Sequence, residues 1–368
     1  MTDKEYMKLA IRLAKQGSGR VSPNPLVGAV VVKDGVIIGK GYHEEYGQLH
    51  AERNALADCK VSPEGATMYV TLEPCCHYGK TPPCTKAIME SGIKRVVIGS
   101  LDPNPIVAGN GIKELREAGI EVVYGVLEKE CNKLNAVFFH YIRKKTPYVV
   151  LKYAMTIDGK IATYTGASKW ITGEQARENV HKDRNRYKAI MVGVETVRMD
   201  DPMLTCRVEN GVNPIRIICD STLRIPFDSQ IVQTAADIPT IIATACKDEQ
   251  KQKPYTEAGC EIIVVGVEDG KVNLEELMRE LGERRIDSIL LEGGSKLHWS
   301  ALRSGIVNRV QCYIAPKIFG GECAKTPIAG EGVSLPEQAV RLKNMEIKQL
   351  GEDYLIEGEV EKNCLQEL

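Results

Sequence analysis

Long apolar runs are missing from this chain of 368 residues. None approaches the roughly 18 consecutive apolar residues of a membrane-crossing helix, so no membrane partner is expected. A surplus of charge of either sign is missing too. Lys and Arg number 48 against 49 Asp and Glu, which leaves no basic footprint for nucleic acid or an anionic surface. The opening residues Met1-Thr2-Asp3-Lys4-Glu5 hold no apolar core of the signal-peptide type, and a cytoplasmic protein is expected. There is no internal repeat, so the second half reads as a different domain and not a duplicate. There is no G-x-G-x-x-G either, which leaves a Rossmann dinucleotide-binding domain unsupported. Cysteine is not scarce: 12 are scattered along the chain. Without a secretion signal they read as reduced thiols. Cys219, Cys246 and Cys312, in apolar strand-like runs, read as buried and inert.

The length favours two domains. Asp3 is read as the cap of a first helix, with Tyr6, Leu9, Ala10, Leu13 and Ala14 at helical spacing. Leu26–Val32 and Val36–Gly41 read as strands joined by a tight turn at Asp34-Gly35. Strands at Ala66–Leu72, Arg95–Gly99 and Ile120–Tyr124 alternate with helices at His50–Asp58, Cys84–Ser91 and Gly111–Ala118. Leu127–Arg143 reads as one closing helix. The basic Arg143-Lys144-Lys145 followed by Thr146-Pro147 reads as a linker, which divides the chain into 1–145 and 146–368. Beyond it strands resume at Tyr148, Ala189–Gly193, Pro214–Cys219, Thr240–Ala245, Glu261–Val265, Ser288–Leu291, Arg309–Ile314 and Tyr354–Val360, with a helix over Gly294–Arg303. Both halves are therefore α/β.

Chemistry concentrates between residues 50 and 84, where His50-Ala51-Glu52 is followed by Pro74-Cys75-Cys76-His77 and Cys84. One His, two separated Cys and a nearby Glu that is not a ligand are the parts of a zinc-activated hydrolytic deaminase. His50, Cys75 and Cys84 would hold the metal, with a fourth position left for water. Glu52 would take a proton from that water and return it to the ring nitrogen and the leaving amine. Cys75 and Cys84 are separated by eight residues, where the usual signature has two. Cys76 and His77 are therefore rival ligands. Cys84 is favoured because it opens a helix, where the dipole stabilises a thiolate.

The segments Pro23-Asn24-Pro25-Leu26-Val27-Gly28, His50-Ala51-Glu52, Thr71-Leu72-Glu73-Pro74-Cys75 and Gly79-Lys80-Thr81-Pro82-Pro83-Cys84 together resemble the bacterial bifunctional riboflavin biosynthesis family of the RibD type. The long Cys spacer is that family's form. The likeness continues through Leu151-Lys152-Tyr153-Ala154-Met155-Thr156-Ile157-Asp158-Gly159-Lys160-Ile161-Ala162 and covers nearly the whole chain. It implies a cytidine-deaminase-like three-layer α/β/α domain followed by a dihydrofolate-reductase-like α/β domain. The implied reactions are deamination of 2,5-diamino-6-ribosylamino-4(3H)-pyrimidinone 5′-phosphate and NADPH-dependent reduction of its ribosyl group to ribityl. The product would be 5-amino-6-ribitylamino-uracil 5′-phosphate.

The resemblance also implies site residues. Asn24, His43, His77 and Lys80 correspond to substrate-binding positions of the deaminase. Ala154, Trp170, Thr196, Asp200, Ser221, Gly294, Ser295, Lys296, Leu297, His298, Trp299 and Ser300 correspond to positions that bind NADPH. Ser168, Arg184, Leu204, Arg207 and Glu292 correspond to the reductase substrate site. The residues agree chemically: an Asn amide reads a ring amide edge, and guanidinium forks grip phosphate. A homo-oligomer, dimer or tetramer, is implied as well. Two other readings share part of the pattern. A deaminase of the tRNA-adenosine type would require a basic face, and a zinc-stabilised ligand-binding protein would have no use for Glu52.

Overall fold

The computed structural model describes residues 1–79 and 81–361. It divides into two compact units, Met1–Lys145 and Thr146–Leu368.

In the first unit the strands are β1 (Gly28–Lys33), β2 (Val36–Tyr42), β3 (Thr67–Leu72), β4 (Arg95–Ser100) and β5 (Glu121–Tyr124), and the helices are α1 (Asp3–Ala14), α2 (Ala51–Ala57), α3 (Cys84–Glu90), α4 (Asn110–Glu117), α5 (Glu128–Leu134) and α6 (Ala136–Lys144). They build a five-stranded sheet of order β2-β1-β3-β4-β5. β1 is antiparallel to β2 and β3, while β3, β4 and β5 are parallel. Alternation along β1 shows why the sheet is covered twice. Val30 and Val32 pack with Tyr6, Met7, Ala10 and Ile11 of α1. Ala29 and Val31 pack on the other face with Ala51 and Ala55 of α2, Ile88 of α3 and Leu115 of α4. Each such buried Val, Ile or Leu contributes about 1.5–3 kcal/mol.

Two local expectations are corrected here. Asp3 does not cap α1. Thr2 is the cap, its N–H donating to the Glu5 carboxylate at 2.7 Å, as in a capping box. The Asp3 carboxylate instead accepts from Tyr69 (2.8 Å) and from Arg95 (2.9 and 3.1 Å). The closing helix is also not continuous. It breaks at Asn135, whose buried side chain accepts from Leu26 N–H (2.8 Å) and donates to Leu26 C=O (3.0 Å). The same bonds take Leu26 out of the strand ladder, so β1 starts at Gly28.

The second unit has β6 (Tyr148–Thr156), β7 (Ala189–Gly193), β8 (Ile215–Cys219), β9 (Thr240–Thr244), β10 (Glu261–Val264), a small hairpin β11 (Val267–Glu268) and β12 (Lys271–Val272), then β13 (Ser288–Gly293), β14 (Val307–Ala315), β15 (Leu342–Leu350) and β16 (Asp353–Val360). Its helices are α7 (Glu174–Arg186), α8 (Val194–Asp200), α9 (Gln230–Gln233), α10 (Glu249–Glu257), α11 (Leu274–Glu283) and α12 (Ser295–Arg303). The main sheet has nine strands in the order β10-β9-β8-β7-β13-β6-β14-β16-β15. It is parallel from β10 to β14 and antiparallel beyond. α11 and α12 cover one face; α7, α8 and α9 cover the other.

β15 was not read from the sequence because its residues are half-buried or exposed on both faces and show no alternation. Of the three cysteines read as buried, Cys312 is buried, while Cys219 and Cys246 are half-buried. Cys246 lies beyond β9 in a loop, because the strand ends at Thr244. No described helix is long and apolar enough to cross a membrane.

Candidate active sites

The first site sits where α2 and α3 meet the end of β3. α2 lies almost on the backbone of β2: a Cβ at Gly41 would come within 2.3 Å of Ala55 N and 2.6 Å of Ala51 O. This close approach sets the start of α2, with His50 at its N-cap and Glu52 buried in its first turn. Cys75 follows β3, and its carbonyl accepts the N–H groups of Cys84 (3.0 Å) and Thr85 (3.2 Å), tying α3 to the strand end. His50 Nδ1 then lies 3.5 Å from Cys75 Sγ and 3.4 Å from Cys84 Sγ. The three donor atoms fall within 4.8 Å of one another. Bonds of about 2.0 Å to nitrogen and 2.3 Å to sulfur at a tetrahedral angle set N and S roughly 3.5 Å apart, so the donor set fits zinc. Hydrogen bonding from Cys84 and His50 holds Cys75 toward the thiolate a metal needs, against the opposing effect of burial. Burial, then the charge of Cys75, pushes the Glu52 carboxyl above its ordinary range.

A cavity of about 310 Å³ opens onto these groups and is lined by Asn24, His43, His77 and Asp102 among others. His43 is buried, and both its ring nitrogens have partners: Leu49 C=O at 3.1 Å and the Asn24 amide at 3.1 Å. Nδ1 must donate to the carbonyl, so Nε2 accepts from Asn24, and the Asn24 oxygen is left for a ligand. Burial keeps His43 neutral by lowering its pKa. It therefore positions Asn24. His77 lines the cavity with a buried, unpartnered Nδ1. Lys80 lies outside the described residues. Two acidic residues were missed. Asp102, at the exit of β4, lines the cavity and is raised to about 6 by burial. Glu73 accepts the N–H groups of Asp102 (3.3 Å), Gly109 (3.1 Å) and Ile112 (3.2 Å), fixing the wall that carries Asp102. For Asp102 the sequence offers only the turn-forming run Asp102-Pro103-Asn104-Pro105 after an apolar strand, and for Glu73 nothing, because its partners lie 29 to 39 residues further on.

The second site, in the other unit, lies at the C-terminal ends of β7 and β13, where open parallel sheets bind ligands. Gly193, Gly293 and Gly294 converge there. A Cβ on Gly293 would come within 2.9 Å of Thr196 Oγ1, and one on Gly294 within 3.7 Å of Gly193 N. Gly294, at φ 91°, opens α12. Such bare backbone beside a helix start is a cradle for a pyrophosphate, so these residues fit a dinucleotide.

Beside the cradle is a cavity of about 790 Å³ lined by Ala154, Ser168, Trp170, Arg184, Asp200, Leu204, Arg207 and Glu292 among others. Trp170 is 63% exposed and belongs to the rim, with Arg177 stacked 4.7 Å over its ring. The cavity lining omits Thr196, Ser221 and Gly294–Ser300. Within that run His298 and Trp299 are buried, and His298 Nδ1 donates to Pro327 C=O at 2.8 Å.

Arg184 grips Glu292 through Nε (2.7 Å) and Nη2 (2.9 Å), and its Nη1 donates to Thr205 C=O at 3.0 Å. One hydrogen on each terminal nitrogen remains for an anion. Although burial alone would raise Glu292, Arg184 and Lys152 outweigh it and hold the carboxyl at about 2. Lys152 Nζ lies 3.8 Å from Glu292 and lines the cavity, its ammonium pulled below its usual range by burial. Lys152 was missed as a site residue, although a lysine inside the apolar run of a buried parallel strand was a readable signal.

Two family models match the chain: the cytidine and deoxycytidylate deaminase zinc-binding region over residues 1–100 and the RibD C-terminal domain over residues 147–356. The riboflavin biosynthesis protein RibD of Actinobacillus pleuropneumoniae is 57% identical over 357 residues, covering 97% of this chain and 95% of the relative. That of Escherichia coli is 38% identical, covering 97% and 99%. A diaminohydroxyphosphoribosylaminopyrimidine deaminase/5-amino-6-(5-phosphoribosylamino)uracil reductase from Thermotoga maritima superposes with a TM-score of 0.84 at 43% identity, over 97% of this chain and 98% of that one. RibD from Acinetobacter baumannii gives 0.85 at 35% identity, over 98% and 99%.

Proposed function

The chain belongs to the RibD family of bifunctional riboflavin biosynthesis proteins, and from that premise we propose how its two units divide the work. It is a zinc-dependent deaminase and an NADPH-dependent reductase. It removes an amino group from 2,5-diamino-6-ribosylamino-4(3H)-pyrimidinone 5′-phosphate, then reduces the ribosyl group to ribityl. The first unit carries the deamination and the second the reduction. The observation that carries this reading is the three-donor set His50, Cys75 and Cys84 with buried Glu52 beside it.

Zinc, when bound, supplies Lewis-acid activation that makes water a nucleophile at neutral pH. With zinc held by His50, Cys75 and Cys84, Glu52 would accept one proton from that water and give it to the ring nitrogen, then accept the second from the added hydroxyl and give it to the amine as the C–N bond breaks and ammonia leaves. Asn24, oriented by His43, reads the ring's amide edge. His77 and Lys80 approach the polar remainder of the substrate.

In the second unit NADPH supplies the hydride. Ala154, Trp170, Thr196, Asp200, Ser221 and the run Gly294–Ser300 bind it, the buried His298 and Trp299 contributing backbone alone. Arg184, Arg207, Ser168 and Leu204 hold the phosphorylated substrate. Lys152 Nζ, facing the same cavity, gives a proton to the ribose ring oxygen as the C1′–O bond opens, and Glu292 holds it in place.

Three coarser features complete the proposal. Free thiols at every described cysteine support residence in the reducing cytoplasm. Balanced charge supports a small-molecule substrate over nucleic acid. The edge strand β15, with Met345 and Ile347 exposed beside Tyr354, supports a homo-oligomer, dimer or tetramer. The test is an assay with the diaminopyrimidine substrate that follows ammonia and NADPH separately. Zinc removal should stop ammonia release, yet leave NADPH oxidation intact when deaminated substrate is supplied. Ammonia release that survives zinc removal would overturn the reading.

A further inference from the structure

We propose that the far end of the long cysteine spacer is the outer shell of the metal site: Thr81 fixes the proton of His50, and Arg53 clamps Pro82 and Pro83 so that Thr81 and Cys84 arrive together. The inference rests on the zinc reading above and names residues that hold zinc without touching it.

Eight residues separate Cys75 from Cys84. A longer loop costs more entropy to close, and that cost weakens metal binding unless the chain itself brings the loop ends together. Here it does. The Cys75 carbonyl accepts the N–H groups of Cys84 (3.0 Å) and Thr85 (3.2 Å). The Cys84 N–H also lies 3.4 Å from Cys75 Sγ, a bond that favours the thiolate. Arg53 follows Glu52 on α2. Its Nε donates to Pro82 C=O at 3.3 Å and its Nη2 to Pro83 C=O at 2.9 Å. Two consecutive prolines have fixed φ, so anchoring both carbonyls sets where Cys84 opens α3.

The same anchoring gives the His50 ring a partner. Nδ1 faces both sulfurs, at 3.5 and 3.4 Å. A ring that ligates through Nδ1 carries its proton on Nε2. Nε2 lies 3.5 Å from Thr81 Oγ1, so the N–H donates to the hydroxyl. That bond holds the tautomer and ring orientation that keep Nδ1 for the metal, the duty an outer-shell partner performs for a ligating histidine. The start of α2 therefore serves the site three times: His50 ligates, Glu52 carries protons and Arg53 secures the loop that orients His50.

The test is the zinc affinity of the metal-stripped full chain, measured by competition with a chromophoric chelator, with the absorption spectrum of the cobalt(II)-loaded chain as a second readout. Thr81→Val should weaken zinc by about tenfold or more and alter the cobalt spectrum, while Thr81→Ser stays within about threefold of wild type. Arg53→Gln should weaken zinc by roughly 3- to 10-fold. Arg53→Lys should recover little, because one ammonium does not span two carbonyls as a guanidinium fork does. The metal-free variants should melt with the metal-free wild type by circular dichroism, which assigns the loss to metal binding and not to the fold. The proposal is overturned if Thr81→Val or Arg53→Gln keeps wild-type zinc affinity, if Thr81→Ser loses as much as Thr81→Val, or if the metal-free variants melt lower in step with their lost affinity. A wild-type chain that takes up no zinc would instead fail the metal reading itself, an outcome distinct from all of these.

Discussion

Replacing Arg184 by Met removes one partner of a buried ion pair and leaves the other in place. The side chains of Arg184 and Glu292 are 16% and 8% exposed and meet at 2.7 Å. Breaking such a pair from one side costs about 3–5 kcal/mol, because the remaining charge keeps its desolvation penalty. Lys152, at 3.8 Å, offsets part of that. The two tryptophans of the chain, Trp170 and Trp299, both belong to the second unit, so their fluorescence reports its unfolding alone. A unit of this size loses about 2–4 °C of Tm per kcal/mol, and the fluorescence transition should fall by roughly 10 °C.

The pH dependence carries a sign. Glu292 is held at about 2 against an ordinary 4.5, so the pair's stabilisation is complete above about pH 4.5 and is lost as the pH falls toward 2. In Arg184→Met the buried carboxyl titrates higher, so the deficit relative to wild type shrinks on acidification. Adding Glu292→Gln should recover about half the loss. An unshifted transition in Arg184→Met, or a double variant no more stable than the single one, would refute the reasoning.

Other consequences concern different parts of the molecule. Burial holds His298 at about 4 against an ordinary 6.5. The second unit should therefore lose about 3 kcal/mol as the pH falls from 6.5 toward 4, and His298→Asn should flatten that part of the tryptophan-monitored stability profile. Asn135→Ala leaves Leu26 N–H and C=O without their side-chain partners. It should destabilise the first unit by about 2–3 kcal/mol and raise KM for deamination through the adjoining Pro23-Asn24-Pro25 turn, as measured by ammonia release. Gly293→Ala would press a methyl group onto Thr196. NADPH binding by calorimetry should weaken at least tenfold, with ammonia release unaltered.

Much of the fold was legible because its elements carry strong periodicities. The apolar runs of β1, β3 and β4 and the helical spacing of α1 left little choice of secondary structure. The metal donors stood out because His-x-Glu and two separated cysteines are a pattern with one dominant chemistry. What stayed hidden depends on tertiary partners. Asn135 looks like any helical asparagine until Leu26 is beside it. Glu73 and Asp102 are acidic residues at strand ends until the loop they hold closes on a cavity. Lys152 sits within an apolar strand, and only the neighbouring Glu292, which opposes the effect of burial and of the Arg184 charge, explains how its charge is tolerated there. β15 escaped because a strand exposed on both faces has no alternation to read.

Glu52→Gln measures the central claim most directly, because it leaves the donors His50, Cys75 and Cys84 in place and changes only the proton carrier. The variant should retain zinc at the wild-type stoichiometry by metal analysis, lose ammonia release by about 10³-fold or more, and still oxidise NADPH with the deaminated substrate. Ammonia release within tenfold of wild type, with zinc bound, would contradict the account.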